Sequence, residues 1–240
     1  MNHGDAVNVR VLAAIRTALQ ERADPVRGAG ARAYMKSTMP CLGVRVPEVR
    51  RIVSAAAAGA PFESPDQLGA TALELWRSAT AREERYAAID LTAHRLVAGD
   101  MAMLPVYEEF IRSGAWWDFA DATAGRLCGL LQANRAEMTG VLLRWSTDPD
   151  SWIRRAAILS QLKAKTATDS VLLARVVESN LADPEFFIRK AIGWALREYA
   201  KTSPGWVAAF VAGHAATMSP LSRREALRHH PGSPPLSKRL

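Results

Sequence analysis

Asp121 lies four residues after Trp117, which is one turn away on a helix. A carboxylate set beside an aromatic wall can stabilise a cationic or oxocarbenium-like species. Burying that charge is costly without partners. An Asp paired with an arginine of a neighbouring helix is therefore the other reading that the spacing leaves open. Lys190, Trp194 and Arg197 form a second constellation, spaced i, i+4, i+7 and so on one helix face. Basic residues interleaved with an aromatic suit nucleic-acid contact or cation–π recognition; the alternative is a tryptophan packed between repeats. Gly193 beside it leaves the backbone open to close approach, which adds to the functional reading. Basic pairs recur at Arg154-Arg155, Arg189-Lys190 and Arg223-Arg224. They suit a duplex phosphate backbone, and such residues also occur as solvated or stem-buried arginines of helical repeats.

The remaining candidates carry less. Trp116 reads as packing, and Asp118 as a helix-start or surface charge. His3, His94, His214, His229 and His230 lack metal-ligand spacing, and the chain holds no Gly-rich phosphate loop. No metal and no cofactor are expected. Cys41 and Cys128 read as buried hydrophobes rather than nucleophiles.

These residues need elements to hold them, and the chain reads as helix throughout. Ala, Leu, Arg and Glu recur, and strand-like alternation is scarce. Apolar residues fall at helical spacing over 6–20, 73–97, 106–110, 122–131, 138–145 and 172–177, with prolines and glycines between. Asp148-Pro149 and Asp183-Pro184 each read as an N-cap carboxylate before a proline at the first helical position. The segment 148–157 resembles 183–192 at an offset of 35 residues. The same step carries Trp152 back to Trp117 and forward to Phe187, and Arg189-Lys190-Ala191 on to Arg224-Glu225-Ala226. A sustained period near 35 in an all-α chain predicts an α-solenoid of HEAT-like repeats with a concave face. One domain over 1–228 is expected, with 1–60 as N-terminal capping helices and 229–240 as a disordered tail.

The repeat frame shows which residues are exceptional. Four residues after Trp152 and Phe187 come Ala156 and Ala191, and Ala226 continues the row; after Trp117 comes Asp121. Packed helices lie roughly 8–10 Å apart, so one basic residue per unit stacks into a stripe.

Whole-chain figures bound the function. The 240 residues are 49% hydrophobic, which excludes a disordered chain. Two cysteines argue against a disulfide scaffold and a Cys-rich zinc site. Neither a signal-type start nor an apolar run of spanning length is seen, so no membrane partner is expected. The protein reads as cytoplasmic, nucleoid-associated in a prokaryote. The net charge of +7 permits a polyanionic partner without demanding one.

Several segments carry a family likeness: Ala33-Tyr-Met-Lys-Ser37 followed by Leu42-Gly43, Trp116-Trp-Asp-Phe-Ala-Asp121, and Trp152-Ile-Arg-Arg-Ala-Ala-Ile-Leu159. The fullest is Glu185-Phe-Phe-Ile-Arg-Lys-Ala-Ile-Gly-Trp-Ala-Leu-Arg-Glu-Tyr-Ala-Lys-Thr202, and Leu221-Ser-Arg-Arg-Glu-Ala226 follows. Over about residues 10–230 the chain resembles the DNA alkylation repair glycosylases of the AlkD type, built from HEAT-like repeats. The resemblance implies removal of N3- and N7-alkylated purines from duplex DNA by cleavage of the N-glycosidic bond, without deep base flipping. It places the catalytic Asp on Asp121, the site tryptophans on Trp117 and Trp194, the site arginine on Arg155, and a nearby tyrosine on Tyr34. Arg154, Arg155, Arg189, Lys190, Arg197, Arg223 and Arg224 are then the candidates for holding the DNA backbone. Phe119 and Ala120 depart from the family's aspartate motif without removing a reacting group. No amine nucleophile is evident, so a monofunctional enzyme is expected, and a solenoid that wraps a duplex can act as a monomer. The rival is a non-catalytic HEAT scaffold that binds nucleic acid or protein and does not need Asp121.

Overall fold

The structure, a computed structural model, describes residues 7–228. The expected tail at 229–240, with His229 and His230, lies outside the described residues, as does His3. The described residues form thirteen α-helices and no strand. None of these helices is long and apolar enough to cross a membrane. Packing groups the chain into two compact units, residues 1–110 and 111–240.

The first unit holds α1 (Val9–Glu21), α2 (Pro25–Met35), α3 (Val46–Gly59), α4 (Pro65–Arg77) and α5 (Arg82–Leu91). Two 3₁₀ turns follow, and α6 (Leu104–Gly114) contains the division between units. Side chains of Asn8, Asp24 and Ser64 cap α1, α2 and α4 by accepting backbone N–H groups, and Pro25 and Pro65 open the latter two. The periodic stretch 73–97 is not one helix. It breaks after Arg77, and Glu84 of the next helix takes the Thr80 hydroxyl at 2.7 Å, fastening the link. The core of this unit is fully buried Ile15, Leu19, Val49, Leu68, Leu75 and Ala87. Each aliphatic side chain removed from water contributes about 1.5–3 kcal/mol. Buried Glu83 accepts the Leu42 and Gly43 N–H groups at 2.9 and 2.8 Å. Gly43 has φ +82°, and a Cβ there would strike the Asp24 carbonyl, so only glycine suits this turn. The Leu42-Gly43 pair is thus a structural anchor.

The second unit realises the 35-residue step. Its helices are α7 (Trp117–Ala133), α8 (Arg135–Trp145), α9 (Ser151–Leu159), α10 (Ser170–Glu178), α11 (Phe186–Ala200), α12 (Pro204–Gly213) and α13 (Pro220–Ala226). The equivalent helices stack in order: α7 on α9, α9 on α11, α11 on α13. The row predicted to be alanine is the line of contact, and Ala156 and Ala191 are fully buried. Small side chains there let neighbouring helices approach closely. Asn180 ties successive units by donating to the Ser146 carbonyl at 2.8 Å.

The two Asp-Pro helix starts lie two residues earlier than a cap would. Asp150 caps α9 through the Trp152 N–H, and Glu185 precedes α11 without a side-chain cap. Asp148 and Asp183 instead accept the N–H two residues on, each at 2.8 Å. Their other oxygens are thereby left for arginines of the preceding unit: Arg112 reaches Asp148 at 2.7 Å and Arg154 reaches Asp183 at 2.9 Å. A short carboxylate closes its own turn and a long cation bridges the unit behind it.

Candidate active site

Helix α7 opens with Trp117 and brings Asp121 one turn later onto the face that meets α9. From α9, Arg155 reaches back across the contact. Its Nε donates to Asp121 Oδ1 at 2.7 Å and its Nη2 to Oδ2 at 2.9 Å, a bidentate pair. The third nitrogen, Nη1, donates to the carbonyl of Phe187 on α11, and the guanidinium lies 5.8 Å from that ring's centroid. One arginine therefore links three successive units. Arg155 is buried, with 5% of its side chain exposed, while Asp121 keeps 13%.

Two forces act on Asp121 in opposite directions. Burial pushes its carboxyl above the ordinary value; the Arg155 hydrogen bond and charge pull it back without cancelling the rise, and the Asp118 charge adds to it. The paired Asp that the spacing left open is present, and it is not wholly enclosed.

Beside the pair lies an aromatic cluster. Trp152 and Phe187 rings stand 5.2 Å apart, and Trp116 sits 5.9 Å from the first and 5.7 Å from the second. Trp116 thus packs against both rings, and its buried indole N–H has no acceptor among the described residues. Phe186, half exposed, extends the cluster through Phe187 at 5.3 Å. Trp117 and Trp194 are both half-buried, on α7 and α11, and α9 packs against both helices. Tyr34 lies on α2 in the first unit and is 77% exposed.

The basic residues divide into two groups. Arg155 is held by Asp121, and Arg154 by Asp183. Lys190 and Arg197 share Glu225 of α13, at 3.2 and 2.7 Å. Arg189, Arg223 and Arg224 make no ion pair among the described residues; Arg223 donates to the Ala215 carbonyl and Arg224 is exposed. The repeat frame placed the stripe without showing that half of it joins helix to helix. Glu225 was the missed residue, and its only signal was its place beside Arg224 in the repeat. Gly193 also departs from expectation. A Cβ there would lie 2.5 Å from Glu225 Cβ and 3.1 Å from the Ser222 carbonyl oxygen. The close approach that this glycine permits is that of α13, not of a ligand.

Among the described residues no three His, Cys, Asp or Glu side chains gather to hold a metal ion. Cys41, half-buried, and Cys128, buried, are in no disulfide among the described residues.

Comparison with known proteins agrees with this architecture. The chain is similar to a solved structure described as a predicted DNA alkylation repair enzyme from Enterococcus faecalis, at 27% identity and a TM-score of 0.77. That match covers 87% of this chain and 96% of the other. A more distant likeness, 17% identical with a TM-score of 0.47, is to Pseudomonas fluorescens alkylpurine DNA glycosylase AlkC bound to DNA containing an abasic site analog. It covers 95% of this chain and 62% of that one. No curated protein matches. The family model for DNA alkylation repair enzymes runs from residue 15 to residue 230, through both units and every residue of the Asp121 site, and the chain belongs to that family.

Proposed function

We propose that this protein is an alkylpurine DNA glycosylase of the AlkD type, acting on duplex DNA. The observation that carries the reading is Asp121. It is a carboxylate in a row that is otherwise alanine, held in place by a buried arginine, and 13% of its side chain remains exposed.

Alkylation at N3 or N7 gives the purine a positive charge, so the base leaves without being protonated. As the N-glycosidic bond breaks, positive charge moves onto the deoxyribose. The open edge of Asp121 stabilises that charge and orients the attacking water. Arg155 occupies one side of both carboxylate oxygens, which fixes their direction and counters the effect of burial on ionisation. Trp117 and Trp194 supply faces for a cationic nucleoside. Arg189, Arg223 and Arg224, whose charges no carboxylate takes among the described residues, are the members of the stripe left for phosphates. The product is an abasic site, formed without deep base flipping and without strand cleavage.

The test is release of 7-methylguanine or 3-methyladenine from alkylated duplex DNA by wild type and by Asp121→Asn. Release by wild type with loss in a folded Asp121→Asn that still binds DNA supports the reading. The bidentate pair also favours a second reading, in which Asp121 is a structural link in a non-catalytic scaffold. A folded wild type that binds DNA and releases no base would establish that one.

A further inference from the structure

Lys163 lies in the turn after α9, and its side chain crosses to α7 at Gly125. Its Nζ is 3.0 Å, and its Cε 3.3 Å, from the point where a Gly125 Cβ would stand. The ammonium therefore lies over the glycine, where a larger side chain would crowd it. Burial pushes the Cys128 thiol up, and the nearby Lys163 backbone N–H and charge oppose this. Asp121, Gly125 and Cys128 stand at i, i+4, i+7 and so share a face of α7. At 1.5 Å rise per residue, Gly125 is about 6 Å along the axis from Asp121. Arg155, Lys190 and Arg197 are neutralised by carboxylates, but Lys163 is exposed and forms no ion pair among the described residues.

An unneutralised cation one turn from Asp121 opposes the build-up of positive charge on a sugar held there, and more strongly once water is excluded. The opposition disappears if the substrate itself brings an anion to that point. A nucleotide does so, because its phosphate is joined to the same deoxyribose whose C1′ must face the carboxylate. We propose that Lys163 is the phosphate anchor of the lesion nucleotide: its ammonium, laid over Gly125, takes the phosphate of the sugar that faces Asp121. It is a positioning residue, and the inference rests on the glycosylase reading.

The experiment measures binding to duplexes holding a tetrahydrofuran abasic-site analogue, with the adjoining phosphate either native or replaced by a neutral methylphosphonate. Wild type should bind the methylphosphonate duplex several-fold more weakly, and Lys163→Ala should bind the two alike. The salt slope of binding should fall by about one in Lys163→Ala and return in Lys163→Arg. Gly125→Ala, which keeps the charge but displaces it, should lose part of the discrimination. An equal methylphosphonate penalty in wild type and Lys163→Ala would overturn the proposal, even if both excise 7-methylguanine. Absence of excision by wild type would overturn the glycosylase reading instead, and the binding cycle would still decide the fate of Lys163.

Discussion

Replacing Arg155 by methionine tests how the site is built. The change removes both nitrogens from Asp121 and one from the Phe187 carbonyl, and it leaves a carboxylate that is 13% exposed in the wild type without its arginine counter-charge. Removing one partner of a buried pair costs about 3–5 kcal/mol. Because one edge of Asp121 still reaches water, the lower end applies, about 3 kcal/mol. For a chain of this size each kcal/mol moves Tm by about 2–4 °C, so a fall of about 6–12 °C is expected at neutral pH. Burial already raises the Asp121 pKa above its ordinary 3.8, and loss of Arg155 raises it further. A raised carboxyl favours the folded state when protonated and loses that advantage as pH rises through the folded value. The deficit of Arg155→Met should therefore shrink on acidification. The decisive measurement is the double variant. Asp121→Ala with Arg155→Met supplies the residue that Ala156 and Ala191 supply in the next units, and it removes the stranded charge. It should be more stable than Arg155→Met alone. Thermal melts of both single variants and the double variant form a cycle. If the double variant loses the sum of the single losses, the two residues are not coupled and the account of the site is refuted.

Two further outcomes follow from the geometry. Gly193→Ala would set a methyl 2.5 Å from Glu225 Cβ and 3.1 Å from the Ser222 carbonyl oxygen, and neither atom is the free end of a long side chain. Overpacking should outweigh the gain in helix propensity and cost about 1–2 kcal/mol, read from chemical denaturation; unchanged stability would mean that α13 shifts freely. Excision that requires ionised Asp121 should fall on acidification with a midpoint above 3.8, and Asp118→Asn should move that midpoint down, since the Asp118 charge contributes to the rise. Single-turnover rates across pH measure both, and an acid limb indifferent to Asp118 would remove its charge from the account.

Much of this protein is local in origin and so was visible in the chain itself. Helical class follows from composition and from the spacing of apolar residues. The 35-residue step follows from Trp117, Trp152 and Phe187, and it marks Asp121 as the one carboxylate in an alanine row. Helix starts were nearly legible, displaced by two residues because Asp148 and Asp183 close turns and take arginines instead of capping. Which charges meet was not legible. Arg155, Lys190 and Arg197 look alike as basic residues on a repeated face, yet one is drawn to Asp121 behind it and two to Glu225 ahead. Lys163 lies outside the repeated helices and gave no signal at all. Long cationic side chains reach across helix contacts, and their partners are chosen by the rotation and separation of neighbouring helices. Periodicity along the chain determines which face a residue occupies. Only the packed structure decides what that face meets, and hence whether a charge is spent on the fold or kept for a ligand.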